Sequence, residues 1–171
     1  MYYENMIVAM DRNRGIGKAG VIPWRLSADM EHFRKVTVAC GIVGIGRKTW
    51  DSIPEKFRPL PKRLNIILTK DKTFKVSCKN CMVLNSVQHF LRIFRGRKFY
   101  IIGGAEIYSL FMPYVSRLVV THVHTEIKDA DSFFPEIDDE WRSKKLMEHG
   151  ADEKNQYPFT IVEYTRRPRL L

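Results

Sequence analysis

Residues 41–53, GIVGIGRKTWDSI, pass from an apolar run interrupted by glycines directly into a short helical pattern that begins near Arg47. Residues 98–114 repeat this order, because the strand-like KFYII is followed by two glycines and then by a second helical pattern. Short apolar runs that alternate with helical patterns are typical of strands joined by crossover helices around a parallel sheet. The sequence therefore predicts an α/β fold.

Further elements surround these two units. We predict strands at 5–10, 64–69 and 82–84, a glycine-rich loop at 11–23, and helices from Ser27, as N-cap, to about residue 38 and from Ser86, as N-cap, to residue 94. After residue 114, strands at 117–127, near 141–148 and at 159–164 follow one another without a long helix, which indicates antiparallel pairing. We expect one domain, residues 1–171, with a mixed, mostly parallel central sheet, helices on both faces and antiparallel C-terminal strands.

The composition excludes several classes of protein. With 44% hydrophobic and 28% charged residues, the chain can bury a core and is not of the disordered class. Cys40, Cys78 and Cys81 are too few for a disulfide framework, so we expect reduced thiols in a cytosolic setting. No apolar run approaches the roughly 20 residues of a membrane-spanning helix, and residues 1–10 lack the basic start of a signal peptide. We therefore expect a cytoplasmic protein.

The charge is concentrated in one part of the chain. The formal net charge is +10, but residues 56–98, here called the basic segment, hold twelve basic side chains and one acidic side chain. The rest of the chain is close to neutral. Such a field attracts phosphates and carboxylates, yet its sign does not distinguish nucleic acid from a phosphorylated small molecule.

One carboxylate lies beside the apolar stripe of a predicted helix. Asp29 and Phe33 are four residues apart and share a face with Leu26, Met30 and Val36. Asp29 could simply serve the dipole of the first helical turn. Alternatively, it is a carboxylate in an apolar pocket, with a raised pKa, that binds paired N–H donors of a ligand. Spacing alone leaves both interpretations open.

Two strand-to-helix junctions carry glycines. Gly46 precedes Arg47, Lys48 and Thr49 at a helix start, where free N–H groups and added cations favour an anion. The second junction has adjacent glycines at 103–104, which permit close approach of a ligand. A solvated basic cap and a tight turn are the structural alternatives. Two such junctions after separate strands suggest one extended phosphate-bearing ligand across the sheet edge.

Other motifs favour structural roles. Cys78 and Cys81 have CxxC spacing, but no second pair completes a zinc site. His122 and His124 share one strand face without an evident third ligand, so we expect no metal. The basic residues at 166–169 are most simply a solvated terminus.

In their order and spacing, these segments resemble the dihydrofolate reductase family over nearly the whole chain. The resemblance lies in residues 7–10, 15–17, 22–24, 28–29, 33, 46–53, 59–61, 63, 65, 102–105, 107–108, 121–122, 131–135 and 157–159. It implies a monomer that uses NADPH to reduce 7,8-dihydrofolate to 5,6,7,8-tetrahydrofolate, with hydride transfer to C6 and protonation at N5. Neither nucleic acid nor a membrane is an expected partner.

The resemblance also implies roles for residues at the substrate. Asp29 pairs with the 2-amino group and N3 of the pterin and, with Thr121 and ordered water, assists protonation at N5, with Trp24 nearby. Arg63 clamps the α-carboxylate of the glutamate tail, which a lysine cannot do in bidentate fashion. The implied substrate-binding residues are Ile7, Val8, Asp29, Met30, Phe33, Ile53, Arg58, Leu60, Arg63, Ile102, Tyr108 and Thr121.

A second set is implied for the cofactor, and the loop at 11–23 is expected to close over its nicotinamide ring. The implied cofactor-binding residues are Ala9, Ile16, Gly17, Ile22, Gly46, Arg47, Lys48, Thr49, Leu68, Thr69, Lys70, Gly103, Gly104, Ala105, Glu106 and Ile107. Among them, the set implied for the 2′-phosphate and pyrophosphate is Arg47, Lys48, Thr49, Thr69 and Lys70. The chain departs from the family pattern at Glu106, where some members have arginine, and at Asn85, where some have lysine.

Two alternatives compete with this assignment. The basic segment by itself suggests a nucleic-acid-binding module, although it has few aromatics for base stacking and no recognised motif. A reductase of the same fold could act on another pterin or a pyrimidine, which the combination of Asp29 and Arg63 disfavours.

Overall fold

A computed structural model describes residues 3–168 of the chain, in which ten strands and four α-helices form the framework. The strands are β1 (Glu4–Met10), β2 (Gly15–Gly17), β3 (Ile42–Gly46), β4 (Leu64–Leu68), β5 (Cys81–Leu84), β6 (Phe99–Ile101), β7 (Arg117–Val123), β8 (Ser132–Phe133), β9 (Trp141–His149) and β10 (Phe159–Arg166). The helices are α1 (Ser27–Cys40), α2 (Arg47–Ser52), α3 (Val87–Ile93) and α4 (Ala105–Phe111), and a 3-10 turn covers Glu55–Phe57. Within residues 3–168, no helix has the length and apolar character needed to cross a membrane.

Eight strands form one central sheet in the order β5-β4-β3-β6-β1-β7-β10-β9. From β5 to β7 all pairings are parallel, whereas β10 pairs antiparallel with both β7 and β9. This arrangement confirms the predicted mixed sheet. Because the strands from β5 to β7 are parallel, their carboxyl ends lie along one edge, where open α/β sheets bind ligands.

Side chains that alternate along β1 supply both faces of the sheet. Ile7 packs on the face of α1 with Leu26 and Tyr100, whereas the side chain of Val8 lies in the opposite cluster together with Phe111 from α4. Successive strand residues point to opposite faces, so a single buried strand anchors helices on both sides. The helices therefore cover both faces, as predicted.

The start of α1 differs from the prediction. Ser27 is not the N-cap, because Leu26 occupies that position without a side-chain capping bond and Ser27 is the first helical residue. The free backbone N–H groups bond instead to a remote segment: Ser27 N donates to Lys154 O at 3.1 Å, and Ala28 N donates to Asn155 Oδ1 at 2.9 Å. A partner more than 120 residues away replaces the expected local cap.

The loop at 11–23 contains a short strand that the sequence did not predict. Its β2 pairs antiparallel with β8, and Asp11 anchors its base. The buried carboxylate of Asp11 accepts hydrogen bonds from Gly15 N at 2.7 Å and from Ile127 N at 2.7 Å. These bonds tie the start of β2 and the segment before β8 to the carboxyl end of β1.

The prediction of reduced thiols is wrong for two of the three cysteines. Cys78 and Cys81 form a disulfide with a Cα–Cα distance of 5.4 Å, while Cys40 is free. A turn at residues 79–80 brings the pair together just where β5 begins, within the range that a disulfide spans.

The predicted solvated terminus is wrong for Arg166, which ends β10. Its guanidinium donates to the Glu140 carboxylate at 2.6 Å and to Met112 O at 2.7 Å, and it lies 4.4 Å from the centre of the Trp141 ring. Arg169, in the same predicted terminus, lies outside the described residues.

Candidate active site

The centre of the candidate site is a buried carboxylate. Asp29, in the first turn of α1, is 9% exposed, and Thr121 on β7 donates a hydrogen bond from Oγ1 to Asp29 Oδ1 at 2.6 Å. Burial raises the pKa of Asp29, and the Thr121 bond acts in the opposite, lowering direction. A carboxylate that served only the helix dipole would lie in solvent, so this placement favours the ligand-binding interpretation.

Apolar side chains from three parts of the chain surround the face of α1 that carries Asp29. Trp24, Phe33 and Ile102 pack against the cluster that contains Ile7, next to the helix. Ile102, which follows β6, also packs against the cluster of α2. An aromatic ring with a few N–H donors fits such surroundings, where one carboxylate supplies the orientation.

The raised pKa of Asp29 predicts how the stability of the fold depends on pH. Because the folded state disfavours the ionised form, this group stabilises the fold at low pH, and the contribution is lost as pH rises from 3.8 through the raised pKa. We expect Asp29→Asn, which cannot ionise, to be more stable than the wild type at neutral pH, by about 2–4 °C in Tm for each kcal/mol of relieved burial cost. Thermal unfolding of both proteins across pH would measure this.

The control for that experiment is Asp139→Asn, which removes the same charge from an exposed position before β9. We expect its Tm to differ from that of the wild type by an amount that changes little with pH. A Tm gain in Asp29→Asn that is the same at acid and neutral pH would contradict the linkage to Asp29 ionisation.

Beyond Asp29 the site continues into a cavity of about 270 Å³. It is lined by Met30, Phe33 and Leu60, which were predicted to bind substrate, and by Arg63 at one end. Glu31 and Arg34 complete the lining. The structure thus brings four predicted substrate-binding residues together around one mostly apolar cavity that two cations also line.

The guanidinium of Arg63 is held in a fixed orientation. Its Nη1 donates to Thr37 Oγ1 at 2.8 Å and its Nε donates to Pro61 O at 3.0 Å, which leaves the Nη2 group for a ligand. Arg63 is 4% exposed, and burial together with the charge of Arg34 lowers its pKa. A buried cation beside a second cation favours an anion, and a planar guanidinium suits a carboxylate.

Several predicted substrate-binding residues lie elsewhere. Arg58 donates from Nη1 to Trp50 O at 2.8 Å and lines a separate groove of about 390 Å³, and Ile53 packs in the cluster of Trp50. Val8 and Tyr108 have their side chains on the opposite face of the sheet, although Tyr108 donates its hydroxyl hydrogen to Ile7 O at 2.7 Å. The structure does not bring these side chains into the cavity of Arg63.

The two glycine junctions meet at the carboxyl ends of β3 and β6. Gly46 N donates to Gly103 O at 2.7 Å, and the Gly103–Gly104 peptide is cis. A Cβ at Gly46 would lie 2.7 Å from Cγ1 of Ile107, and a Cβ at Gly104 would lie 2.6 Å from Oγ1 of Thr49. We call these three glycines the glycine cradle, because only residues without side chains allow the two backbones to approach this closely.

The predicted cofactor residues at 68–70 and 105–107 flank the glycine cradle. Gly46 pairs with Leu68 in the parallel register of β3 and β4, which sets Arg47 beside Thr69 and Lys70. The other flank is the first turn of α4, which begins directly after the cradle. The side chains predicted to bind phosphate and the close backbone approach therefore occur along one edge of the sheet.

Acidic side chains already engage the cations of this edge. Arg47 Nη1 lies 2.8 Å from Asp71 Oδ2, and Arg47 Nε lies 3.3 Å from Asp51 Oδ2. Lys70 Nζ lies 3.6 Å from Glu106 Oε1. Glu106, predicted to contact the cofactor, thus pairs with another predicted contact, while Asp71 was counted only as the one acidic residue of the basic segment.

The loop at 11–23 supplies apolar surface to the same region. Ile16 and Gly17 belong to β2, and Ile16 packs against the core, whereas Ile22 is 60% exposed. Ala9 of β1 packs on the face of α1, in the cluster of Ile7. A large apolar side chain left in solvent at a cleft is suited to cover a bound ring.

Sequence reasoning missed the residues that hold the site in place. Asn155 caps α1 and so positions Asp29, and the side-chain amide of Asn85 donates to Thr69 O at 2.8 Å. Asp11 offered one usable signal, since an acidic residue directly follows a strongly apolar strand. Asn155 lies in a polar segment with no pattern to mark it, and Asn85 was noted only as a departure from the family pattern, without this structural role.

The histidine pair has a structural explanation. A ring nitrogen of His122 hydrogen-bonds with the Tyr164 hydroxyl at 2.8 Å, and one of His124 hydrogen-bonds with the Thr160 hydroxyl at 2.9 Å. The part of the chain that the structure describes contains no group of three or more histidine, cysteine or acidic side chains placed to hold a metal ion.

Comparison with known proteins adds to this geometry. The family model described as Dihydrofolate reductase matches residues 5–166. The chain is 39% identical over 164 residues to the dihydrofolate reductase of Staphylococcus haemolyticus, covering 95% of each protein, and 38% identical over 167 residues to that of Bacillus subtilis (strain 168), covering 95% of this chain and 94% of the relative. A solved structure of dihydrofolate reductase from Enterococcus faecalis, complexed with NADP(H) and RAB-propyl, superposes with a TM-score of 0.82 at 29% identity, covering 97% of this chain and 99% of that one.

Proposed function

The chain belongs to the dihydrofolate reductase family, and from that premise we propose how its residues carry out the NADPH-dependent reduction of 7,8-dihydrofolate to 5,6,7,8-tetrahydrofolate. The observation that carries the proposal is the hydrogen-bonded pair of Asp29 and Thr121, buried in an apolar cluster. One carboxylate in such a place can orient a pterin, whose ring offers adjacent N–H donors on one edge.

Asp29 is the proposed group for binding and proton transfer. The Thr121 bond uses Oδ1, so Oδ2 can accept from the 2-amino group and N3 of the pterin. A raised pKa lets this carboxyl hold a proton closer to neutral pH, which suits a relay through ordered water to N5. Trp24, half-buried beside the same cluster, is proposed to limit access of other water to this relay.

The residues along the sheet edge fit NADPH, because the glycine cradle brings the starts of α2 and α4 together at the carboxyl ends of β3 and β6, where N–H groups and cations favour a phosphate. When bound, this cofactor supplies the hydride that reaches C6 of dihydrofolate. The cradle and α4 are proposed to lie against its pyrophosphate, and Arg47, Thr69 and Lys70 against its 2′-phosphate. Ala9, Ile16 and Ile22 are proposed to frame the nicotinamide, which would orient the two rings and exclude water.

Filling the glycine cradle should weaken cofactor binding. In Gly104→Ala the new methyl group would meet Thr49 Oγ1 at 2.6 Å and push aside this proposed cofactor contact, and overpacking of this kind costs about 1–3 kcal/mol. We therefore expect the Kd for NADPH to rise at least about fivefold, measured by titration of the free enzyme. Gly150→Ala is the matched control, because a Cβ there has nothing within 4 Å and should leave the Kd unchanged. An unaltered Kd in Gly104→Ala would contradict the placement of the cofactor.

The cavity of Arg63 is the proposed site of the benzoyl and glutamate portion of the substrate. Met30, Phe33 and Leu60 offer apolar walls, and the fixed guanidinium of Arg63 can bind the α-carboxylate through two parallel hydrogen bonds. Arg58, turned toward Trp50, is not needed for that contact.

Mixing the protein with NADPH and dihydrofolate and following the loss of reduced-nicotinamide absorbance tests the function directly. We expect turnover that requires both compounds, so a mixture without dihydrofolate is the control. A preparation that binds NADPH yet shows no turnover would contradict the proposal. The nucleic-acid-binding alternative is not favoured, because the family model matches residues 5–166 and so includes the whole basic segment.

We further propose that the enzyme acts as a monomer in the cytoplasm. One chain supplies Asp29, the cavity of Arg63 and the glycine cradle, so the site needs no second copy. NADPH and dihydrofolate both carry several negative charges and do not cross lipid readily. The enzyme is therefore expected in the same compartment as these two ligands. Size-exclusion chromatography coupled to light scattering would test the oligomeric state.

A further inference from the structure

Arg47, proposed to bind the 2′-phosphate, faces an acidic side chain that the family assignment does not explain. Asp71 lies in the loop after β4 and makes the shortest ion pair of Arg47, at 2.8 Å between Oδ2 and Nη1. The guanidinium carbon of Arg47 also lies 4.1 Å from the centre of the Phe74 ring. The carboxylate therefore occupies a position on Arg47 that a phosphate would otherwise take.

Asp71 is held in that position independently of Arg47. Its other carboxylate oxygen, Oδ1, accepts from the hydroxyl of Thr73 at 2.6 Å and from Thr73 N at 2.8 Å. These bonds, more than the neighbouring guanidinium, lower the pKa of Asp71, so the group is charged at neutral pH. The backbone that leads into Asp71 is fixed as well, because Asp71 N donates to Thr69 Oγ1 at 3.1 Å.

The second cation of this edge has an acidic partner too. Lys70 pairs with Glu106 at 3.6 Å, and Asp51 adds a second carboxylate to Arg47 at 3.3 Å. A 2′-phosphate that binds Arg47 must displace Asp71 or lie next to it, and either event carries an electrostatic cost. A 2′-hydroxyl carries no charge and can donate a hydrogen bond to a carboxylate.

We infer that Asp71 is a specificity-determining residue that weakens the preference of this enzyme for a cofactor with a 2′-phosphate over one with a 2′-hydroxyl. The inference rests on the proposed placement of the 2′-phosphate at Arg47, Thr69 and Lys70. The relevant ligands are the two nicotinamide cofactors that differ only at this position, NADPH and NADH.

Calorimetric titration with two nucleotides tests the inference without any turnover. Adenosine 2′,5′-bisphosphate and adenosine 5′-monophosphate differ only in the 2′-phosphate, so the ratio of their Kd values measures the preference. We expect Asp71→Asn and Asp71→Ala each to raise that preference about threefold to tenfold at low salt, and less at high salt, because the charges are partly exposed. NADPH and NADH titrations should show the same change.

Asp139→Asn is the matched control. It removes one negative charge just before β9, which is six strand positions from β4, or about 29 Å at the usual strand spacing. That distance exceeds the screening length at physiological salt, so the preference should stay at the wild-type value.

Two results would overturn the inference. If both Asp71 variants bind the bisphosphate more weakly, the carboxylate positions Arg47 for the phosphate instead of opposing it. If neither variant changes the ratio, Asp71 has no part in the selection. Turnover of dihydrofolate with NADPH, measured on the same preparations, reports separately on the proposed function, so failure of one is distinguishable from failure of the other.

Discussion

Replacing Asp29 by asparagine is expected to lower kcat for dihydrofolate about 100- to 1000-fold at neutral pH, within the range that positioned proton transfer contributes. Asparagine is close to the same size and can still accept the hydrogen bond that Thr121 makes at 2.6 Å. It cannot, however, hold or release the proton that the proposed water relay delivers to N5. The fold and the glycine cradle do not depend on this charge, so NADPH affinity should remain at the wild-type value.

Steady-state kinetics together with NADPH titration of the free enzyme would measure both expectations. Asp139→Asn, remote and exposed, is the charge-matched control and should leave kcat unchanged. An Asp29→Asn enzyme with an undiminished rate would remove Asp29 from the mechanism. Loss of NADPH binding would instead indicate damage beyond the substrate site. The same variant is expected to be more stable than the wild type at neutral pH, which is the usual relation between a buried functional charge and stability.

The second large effect is expected from Arg63→Lys. The KM for dihydrofolate should rise about 10- to 100-fold with a smaller change in kcat, because the substitution keeps the charge and loses the paired N–H donors. It also removes the bonds that hold the side chain, since a lysine has no counterpart of the Nε that donates to Pro61 O at 3.0 Å. The contact serves the tail of the substrate, which is remote from the reacting ring.

Arg97→Lys makes the same chemical change at an exposed position in the basic segment and should leave KM unchanged. A truncated substrate without the glutamate tail sharpens the measurement, because wild type and Arg63→Lys should then have similar KM values. Equal KM values for the full substrate would contradict the clamp. Thermal unfolding of Arg63→Lys, compared with the wild type, would show whether loss of the Thr37 contact also affects the fold.

The framework of the protein could be derived from local patterns. Alternating apolar runs and helical segments predicted β1, β3, β4, β5 and β6 to within one residue of their ends, because strand and helix periodicities are properties of neighbouring residues. The prediction missed β2 and extended β7 four residues beyond its end at Val123. The i, i+4 spacing of Asp29 and Phe33 placed a carboxylate on the apolar face of α1, and the two glycine junctions located the ligand edge. The resemblance then supplied chemical roles.

Several features that position the site depend on residues far apart in the chain. The Asn155 cap of α1, the bond from Asp11 to Ile127 and the antiparallel pairing of β10 with β7 all join segments that no local pattern connects. The disulfide of Cys78 and Cys81 is local but depends on the path of the turn before β5, whereas the small, odd number of cysteines had favoured reduced thiols.

What the sequence alone determined is the order of elements, the mixed sheet, the family and the residue types that can bind a pterin and a phosphate-bearing cofactor. Only the tertiary structure decided which polar and charged side chains contact each other: Thr121 with Asp29, Thr37 with Arg63, and Asp71 with Arg47. The physical reason is that electrostatic and hydrogen-bond energies depend on distances between atoms and on burial, neither of which sequence separation determines. A charge of +11 over residues 56–98 therefore indicated a preference for anions, while only the structure shows that Arg47 and Lys70 already pair with carboxylates.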